Sequence, residues 1–420
     1  MDKFIINGGR RLKGRITIGG AKNAALPILA GTLLVSEGES IIENVPNIRD
    51  IDVMLKVLEV LGANIDYDPD KHRVIISALS IDNYRAPYDL VRKMRASFLV
   101  MGPLLGRFGK AEVSLPGGCV LGSRPIDLHI KGFQSLGAEV TEEDGYIKAE
   151  AKRLRGGEVY FDRPSHTGTE NIMLASVLGK QTTRIVNAAC DPEIIDLADF
   201  LNLMGAKIKG AGSTFIEIEG VDLLRGCHYS VMPDRLVAGT YACAAAISGG
   251  ELYLDGASEE ELKLPLMKLK NMGVEISGDG GGLFISAPHR LKGVDITTFP
   301  FPGFPTDLQA CFMSLSTVSN GVSTIVETVF ENRFGHAMEL KRLGADIKVT
   351  GDRAVVNGVG KLKGTSVMAS DIRAGAALVI AALAAEGSTE VLRVYHIDRG
   401  YERMDEALKS VGADIKRVSD

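Results

Sequence analysis

A short motif, consisting of an apolar residue, glycine, a small residue and a polar residue, recurs six times along the 420 residues. The copies are Leu61-Gly-Ala-Asn64, Leu136-Gly-Ala-Glu139, Met204-Gly-Ala-Lys207, Met272-Gly-Val-Glu275, Leu343-Gly-Ala-Asp346 and Val411-Gly-Ala-Asp414. Their regular spacing indicates six copies of one structural repeat of about 70 residues. A chain built in this way is restricted to repeat architectures.

Each copy of the motif lies between two recognisable patterns. Stretches such as 52–60 and 196–203 come before it, with apolar residues at helical spacing. Alternating runs such as 73–77, 215–219 and 353–357 come after it and predict strands. The glycine between them is predicted to end the helix with a positive φ. Each repeat is therefore expected to contain helix, strand, helix, strand and strand, which makes the protein an α/β protein.

A second motif, leucine followed by a basic residue and glycine, indicates which repeat the N-terminal segment completes. It ends most repeats, for example at Leu154-Arg-Gly156, and it also occurs at Leu12-Lys-Gly14 with no helix before it. The sixth repeat stops before its own copy. We therefore expect the first 21 residues to supply the strands missing from the sixth repeat. This predicts two domains, 22–230 and 1–21 with 231–420, with both chain termini in the second.

Composition excludes several classes of protein. The net charge of −5 and the absence of a polybasic run argue against nucleic acid as a partner. No segment reaches about 18 uninterrupted apolar residues, and no leader pattern is present, so we expect a cytoplasmic protein with no membrane partner. Five scattered cysteines without metal-ligand spacing are expected to be reduced, and no metal is predicted.

One of these cysteines has a distinctive setting. Cys119 follows Gly117-Gly118 and precedes Arg124 and Pro125, and Pro125 suits the first turn of a helix. Unpaired backbone N–H groups, the helix dipole and a guanidinium all favour a thiolate. Cys119 is thus a candidate reactive thiol. The alternative is a tight glycine turn beside a small buried hydrophobic residue.

The first helix of every repeat begins with polar or cationic residues. They are Lys22-Asn23, Arg95-Ala-Ser97, Thr167-Gly-Thr-Glu170, Asp234-Arg235, Thr306-Asp307 and Ser370-Asp-Ile-Arg373. Helix capping explains the acids and hydroxyls, and Thr306 to Gln309 has capping-box spacing. Capping does not explain Lys22, Arg95, Arg235 or Arg373, because a cation there is unfavourable. The pattern predicts an anion-binding cleft between the two domains.

These residues and their neighbours carry a resemblance over the whole chain. The matching segments are Gly20-Ala-Lys22-Asn23-Ala-Ala-Leu-Pro27, Met94-Arg95-Ala-Ser97, Leu115-Pro-Gly-Gly-Cys119, Gly122-Ser-Arg124-Pro-Ile-Asp127-Leu-His129, Pro233-Asp-Arg235, Phe304-Pro-Thr-Asp307, Glu327-Thr-Val-Phe-Glu-Asn-Arg333-Phe334, Asp371-Ile-Arg373-Ala-Gly375 and Asp398-Arg399-Gly400. The chain resembles the enolpyruvyl transferases, in particular those that act on UDP-N-acetylglucosamine. The resemblance implies a two-domain inside-out α/β barrel with three repeats in each domain. It also implies transfer of enolpyruvate from phosphoenolpyruvate to the sugar 3-hydroxyl through a tetrahedral intermediate, without a cofactor, as the first committed step of peptidoglycan synthesis.

The resemblance also implies a role for individual residues. Cys119 matches the general acid and Asp307 the candidate general base at the 3-hydroxyl. The cations match groups around the substrate phosphate and carboxylate: Lys22, Arg124 and Arg399 around the phosphate, Arg333 and Arg373 near the carboxylate, and Arg95 as a further member. The remaining substrate-binding positions are Asn23, Pro125, Ile126, Asp127, Leu128, His129, Ser165, His166, Thr167 and Asp371, with Val329 at the sugar. The epoxide fosfomycin is expected to alkylate Cys119.

One loop departs from the family pattern. The expected Ser-Val-Gly-Ala-Thr is Ser165-His166-Thr167-Gly168-Thr169 here, so a glycine has moved by one place. His166 either reaches the nucleotide diphosphate or is a surface histidine, and His129 either binds nucleotide or caps its helix and faces solvent. Two other functions stay open: the shikimate-pathway enolpyruvyl transferase, and a paralogue that binds UDP-sugar or phosphoenolpyruvate in a regulatory role.

Overall fold

The computed structural model describes residues 2–115 and 126–419. Cys119, Arg124 and Pro125 therefore lie outside the described residues. The described chain divides into two compact units. The first unit comprises 20–115 and 126–232, and the second comprises 2–19 and 233–419.

The chain begins with two strands, β1 (Lys3–Asn7) and β2 (Lys13–Thr17). The helices of the first unit are α1 (Lys22–Gly31), α2 (Arg49–Val60), α3 (Tyr88–Val91), α4 (Met101–Phe108), α5 (Asp127–Ser135), α6 (His166–Ser176) and α7 (Pro192–Leu203). Its strands are β3 (Ser40–Glu43), β4 (Asn64–Asp68), β5 (Arg73–Ser77), β6 (Arg85–Ala86), β7 (Lys110–Ser114), β8 (Glu139–Glu143), β9 (Tyr146–Glu150), β10 (Gly157–Tyr160), β11 (Thr183–Val186), β12 (Lys207–Lys209), β13 (Phe215–Glu219) and β14 (His228–Ser230).

The rest of the second unit follows. Its helices are α8 (Arg235–Ser248), α9 (Lys263–Asn271), α10 (Thr306–Thr317), α11 (His336–Arg342), α12 (Ile372–Ala384) and α13 (Met404–Ser410). Its strands are β15 (Glu251–Asp255), β16 (Glu275–Gly278), β17 (Gly282–Ser286), β18 (Ile296–Thr297), β19 (Val322–Val326), β20 (Asp346–Thr350), β21 (Arg353–Asn357), β22 (Leu362–Lys363), β23 (Ser366–Met368), β24 (Ala385–Glu386), β25 (Ser388–Leu392) and β26 (Asp414–Val418). Short 3₁₀ helices lie at Thr32–Leu34, Pro69–Lys71, Arg95–Val100 and Val394–Arg399.

Six four-stranded sheets share one plan. In each sheet an edge strand runs parallel to the second strand, the second pairs antiparallel with the third, and the third pairs antiparallel with the fourth, as in the sheet of β10, β11, β13 and β12. The orders in the first unit are β14-β3-β5-β4, β6-β7-β9-β8 and β10-β11-β13-β12. The orders in the second are β2-β15-β17-β16, β18-β19-β21-β20 and β23-β25-β1-β26. The six repeats predicted from the sequence are therefore confirmed, with three in each unit.

The first 21 residues complete two sheets, where one was predicted. Phe4 of β1 pairs with Val391 and Arg417, so β1 joins the sixth sheet as expected. Ile16 of β2 pairs instead with Leu254 in the fourth sheet. The predicted repeat also lacked the short parallel strand. Five of the six parallel edge strands have only two to four residues, which is too few positions to show alternation, so the sequence does not reveal them.

The first helix of each repeat is buried at the centre of its unit. In the second unit, α8, α10 and α12 pack against one another, and α12 is buried continuously from Arg373 to Leu383. The corresponding helices of the first unit are α1, α4 and α6. Strands alternate between buried and exposed residues, as in Phe215–Glu219, so each sheet has one face toward the core. Helices inside and sheets outside make the inside-out α/β arrangement that was predicted.

The glycine of every tetrapeptide ends a helix in the left-handed region. Their φ angles lie between 90° and 109°, which a residue with a Cβ adopts only with strain. This confirms the predicted helix ends. Among the described residues, no helix is both long enough and apolar enough to cross a membrane.

Candidate functional site

Asp307 is the meeting point of two cations in the second unit. Arg333 Nη2 donates to its Oδ1 at 2.7 Å, and Arg373 Nε donates to its Oδ2 at 3.0 Å. The two guanidiniums are nearly inaccessible, at 4% and 5% exposure, whereas the carboxylate is 27% exposed. The structure thus brings together three of the residues that the resemblance implies. The carboxylate is the part of this group that solvent or a ligand can reach.

A hydrogen-bonded chain continues from Arg373 into the core. Its Nη1 donates to Tyr401 Oη at 3.0 Å, and that oxygen lies 2.9 Å from Thr240 Oγ1. Burial favours a lower pKa for Arg373, but the nearby Tyr401, Asp307 and Asp234 raise the pKa overall. Burial raises the pKa of Tyr401, so its hydroxyl keeps its proton. The guanidinium is therefore fixed on both sides.

Capping explains two of the acids at the helix starts but not Asp307. Asp234 Oδ1 accepts from backbone N–H groups of α8, and Asp371 Oδ1 does the same for α12. The capping box expected from Thr306 to Gln309 is wrong. Pro305 occupies the N-cap position and makes no side-chain cap. The Thr306 hydroxyl donates to Glu327 instead, and Asp307 is held by its two arginines.

Glu327 is a residue to which the sequence reasoning gave no role. Its side chain is 4% exposed and accepts four hydrogen bonds. Oε1 accepts from the Thr298 hydroxyl at 2.8 Å and from the N–H groups of Val329 and Phe330 at 2.9 and 3.2 Å. Oε2 accepts from the Thr306 hydroxyl at 2.9 Å. One buried carboxylate therefore fixes both the segment that carries Val329 and the start of α10. Its only sequence signal was its place as the first residue of a segment that carries the resemblance, 327–334.

Arg399 closes the 3₁₀ helix Val394–Arg399 and is half-buried. The residue before it, Asp398, is held by Arg417 of β26 through bonds of 2.6 and 3.0 Å. Arg417 also reaches Asp405 at 3.4 Å. The last strand therefore anchors the short helix on which Arg399 sits.

In the first unit, α1 begins at Lys22, as expected. Its Nζ lies 3.4 Å from Oδ2 of Asp50, and both side chains are largely buried, at 13% and 5% exposure. Asn23 follows in the first turn and is half-buried. Arg95 begins the 3₁₀ helix that leads into α4, and its charge helps to lower the pKa of His129.

His129 is buried, at 6% exposure, so the interpretation as a solvent-facing cap is wrong. Asn171 Oδ1 accepts from Gly102 N–H, which directs the Asn171 amide nitrogen to His129 Nδ1 at 3.0 Å. Nδ1 is therefore the acceptor, and Nε2 carries the proton toward Thr167 Oγ1 at 3.3 Å. Burial, aided by the charge of Arg95, lowers the pKa of His129 to about 3. The ring is neutral and holds the Thr167 hydroxyl.

His166 lies in an acidic cluster, which neither interpretation from the sequence anticipated. Its Nδ1 is 3.4 Å from Glu170 Oε1 and its Nε2 is 3.9 Å from Glu193 Oε2. Asp191 lies beside Glu193. Burial opposes the charged imidazolium, yet Glu170, Glu193 and Asp191 raise the pKa of His166 overall. Burial also raises the pKa of Glu170.

The displaced glycine of this loop has a local explanation. Residues from His166 onward are helical, and Ser165 caps α6 by accepting from Gly168 N–H at 3.2 Å. A Cβ on Gly168 would lie 2.7 Å from Ser165 Oγ, so glycine permits the close cap. The segment shows no positive φ. The other described residues that the resemblance implies for nucleotide binding include the half-buried Ile126, the exposed Asp127 and the buried Leu128 at the start of α5.

Residues 6–408 match the family model of EPSP synthase (3-phosphoshikimate 1-carboxyvinyltransferase). UDP-N-acetylglucosamine 1-carboxyvinyltransferase of Thermodesulfovibrio yellowstonii is 50% identical over 419 residues, and that of Trichlorobacter lovleyi is 52% identical over 421 residues. In both cases the match covers 100% of each chain.

Solved structures of enolpyruvyl transferases have the same fold as this chain. The enolpyruvyl transferase NikO from Streptomyces tendae superposes with a TM-score of 0.90 at 26% identity, covering 100% of this chain and 99% of that one. EPSP synthase from Acinetobacter baumannii shares the fold, with a TM-score of 0.76 at 19% identity and full coverage of both chains. The chain therefore belongs to the enolpyruvyl transferase family, on the branch of the UDP-N-acetylglucosamine 1-carboxyvinyltransferases.

Proposed function

We propose that this protein transfers enolpyruvate from phosphoenolpyruvate to the 3-hydroxyl of UDP-N-acetylglucosamine and releases phosphate, the first committed step of peptidoglycan synthesis. The observation that carries the proposal is the Asp307 carboxylate, held between two buried guanidiniums. The full-length identity to relatives named for this reaction supports it. Both substrates are cytoplasmic metabolites, so we assign the reaction to the cytoplasm. No cofactor takes part in the proposed reaction.

In the addition step, Asp307 accepts the proton of the sugar 3-hydroxyl as its oxygen attacks C2 of phosphoenolpyruvate. Arg333 and Arg373 now donate to Asp307. A substrate carboxylate competes for the same N–H groups, since forked guanidiniums bind carboxylates well. Substrate binding thus loosens the hold on Asp307 and frees an oxygen to accept the proton.

The proton that C3 gains in this step is assigned to Cys119. In the elimination step the same carbon loses a proton and the bond from C2 to the phosphate oxygen breaks, so phosphate leaves. We assign Lys22, Arg124 and Arg399 to the phosphate, with Arg95 as a further cation, because the departing group carries several negative charges.

For the nucleotide we assign Asn23, residues 125–129 and 165–167, with Val329 at the sugar and Asp371 among the substrate-binding residues. We propose that His129 acts by orienting the Thr167 hydroxyl. Its Nε2–H is directed to Thr167 Oγ1, which leaves the Thr167 hydroxyl proton free to donate to a diphosphate oxygen. His129 is therefore a positioning residue for Thr167.

Phosphate release from phosphoenolpyruvate tests the proposal. It should require UDP-N-acetylglucosamine, and shikimate 3-phosphate should not replace it. Cys119→Ser should be inactive or nearly so, and Asp307→Asn should lower kcat by about 10²- to 10⁴-fold because the amide cannot accept the proton. Binding of UDP-N-acetylglucosamine without phosphate release by the wild type would contradict the proposal and favour a binding paralogue.

We also propose that fosfomycin alkylates Cys119. Burial raises the pKa of each of the four described thiols, to about 11 for Cys227 and Cys311, so these groups are weak nucleophiles at neutral pH. Intact-protein mass spectrometry with UDP-N-acetylglucosamine present should show one adduct on the wild type and none on Cys119→Ser. An adduct that persists in the variant would exclude Cys119 as the target.

A further inference from the structure

We propose that His166, Asp191 and Glu193 form a binding site for one divalent transition-metal ion, with Glu170 orienting the histidine. One potential ligand atom of each residue lies within 4.8 Å of the others. Ligand atoms about 2.1 Å from a common ion lie closer than this, so binding draws the three side chains together by roughly 1 Å. The reaction proposed above does not require the ion.

The orientation of the histidine suits a metal ligand. Nε2 faces Glu193, and Nδ1 faces Glu170 on the other side of the ring. Histidines that bind metals usually donate the other ring N–H to a carboxylate, which fixes the tautomer. Glu170 is in position for that role, because it is one helical turn after His166 on α6.

Glu170 supplies a second, independent observation. Its side chain is 1% exposed, and Oε1 has no hydrogen-bond partner among the described residues. The His166 Nδ1 atom is 3.4 Å away, but the contact does not meet hydrogen-bond geometry. An unsatisfied buried carboxylate oxygen is costly. Metal binding at Nε2 would release the proton of that nitrogen to solvent and leave the ring neutral with its other proton on Nδ1. A small rotation would then let Nδ1–H donate to Oε1.

Asp191 is the third potential ligand of the site. It occupies the N-cap position of α7 but its side chain makes no cap hydrogen bond. Its carboxylate lies near the imidazole of His166 and the carboxylate of Glu193 as a potential ligand. The sequence spacing of these residues does not resemble a metal motif, which is why the sequence predicted no metal.

The types of ligand atom in the site favour a divalent transition-metal ion. One imidazole nitrogen with two carboxylates suits Mn²⁺, Co²⁺ or Zn²⁺, and Zn²⁺ should bind more tightly than Mn²⁺. An all-oxygen site would be expected for Mg²⁺ or Ca²⁺. Three protein ligands leave open positions on the ion.

Mn²⁺ titration of the full-length protein tests the proposal, with electron paramagnetic resonance reporting the free ion. Mn²⁺ prefers oxygen and imidazole, so the cysteines interfere little. We expect one Mn²⁺ per chain, displaced by Zn²⁺. His166→Val, which restores the residue usual in this motif, should weaken binding at least tenfold, and Glu170→Gln should weaken it about tenfold.

His228→Val is the matched control. His228 Nε2 lies 3.1 Å from Glu43 Oε1 on exposed strands, so it tests whether any histidine beside a glutamate binds the ion. This variant should bind Mn²⁺ like the wild type. Circular dichroism without metal should show that all variants are folded, with His166→Gln as the replacement if His166→Val is not. Absence of saturable binding in the wild type, or equal binding by the His166 variant, would overturn the proposal. Since turnover is not measured, the outcome is independent of the proposed reaction.

Discussion

Arg373 Nε lies 3.0 Å from Oδ2 of Asp307, and each residue sits in the first turn of a buried helix. The positive end of a helix dipole favours the carboxylate and disfavours the guanidinium. The ion pair between Asp307 on α10 and Arg373 on α12 therefore offsets the unfavourable position of the guanidinium at a helix start. From the sequence, a cation at a helix start was expected to indicate a bound anion. For Arg373 that anion is a carboxylate of the protein itself, Asp307. A substrate anion at this position has to compete with it.

Arg373→Lys tests the forked geometry of this group. Lysine keeps the charge, but its one nitrogen cannot occupy both the Nε and the Nη1 positions from which arginine donates to Asp307 and Tyr401. We expect kcat/KM for phosphoenolpyruvate to fall on the order of 100-fold. The matched control is Arg184→Lys, which changes an exposed pair with Glu217 and should leave the kinetics unchanged. Activity of Arg373→Lys within a factor of three of the wild type would refute the role of the fork.

Tyr401→Phe tests the buried hydrogen-bonded chain. The change leaves Arg373 Nη1 and Thr240 Oγ1 without their shared partner, and a buried unsatisfied group costs about 1–3 kcal/mol. The free energy of unfolding, from urea titration, should fall by that amount. Tyr253→Phe removes an exposed hydroxyl bonded to Asp279 and should cause no measurable change. Equal effects in the two variants would mean that the buried hydrogen bonds of Tyr401 add nothing to the free energy of unfolding.

Glu327→Ala tests the carboxylate that fixes the Val329 segment. Loss of its four hydrogen bonds should lower the free energy of unfolding by about 3 kcal/mol. It should also raise KM for UDP-N-acetylglucosamine more than it lowers kcat, since Val329 is the assigned sugar contact. Glu327→Gln keeps Oε1 as an acceptor and should restore most of the affinity. Failure of glutamine to recover more than alanine would show that the charge, not the hydrogen bonding, matters.

His336 makes stability depend on pH. Burial, helped by Arg333 and opposed by Asp371, lowers the pKa of His336 to about 4. The unfolded chain takes up the proton near pH 6.5, so it binds more protons than the folded chain between these values. Stability should therefore fall as pH drops below about 6.5, at up to about 1.4 kcal/mol per pH unit.

Urea unfolding at pH 7 and pH 5 measures this slope. His336→Gln has no titrating group, so the loss between the two pH values should be smaller than in the wild type by about 1–2 kcal/mol. An unchanged difference would show that His336 is not the group responsible.

The segment 165–169 shows what a sequence motif can predict and what it cannot. Resemblance singled out Ser165, His166 and Thr167, but it did not reveal that His129 holds Thr167 or that His166 faces Glu193. These partners lie on other helices, and no local pattern joins them. A motif identifies residues, whereas their contacts depend on how the helices pack.

Local sequence patterns were enough to predict the repeats, the helix ends and strands such as Phe215–Glu219, because alternation and positive φ at glycine are local properties. Tertiary structure alone decided that β2 joins the fourth sheet, since a short strand is specified by its distant partner. It also decided that Asp307 bridges Arg333 and Arg373 instead of capping α10. Helix packing brings residues 66 positions apart within 3.0 Å, and buried charges must then find each other.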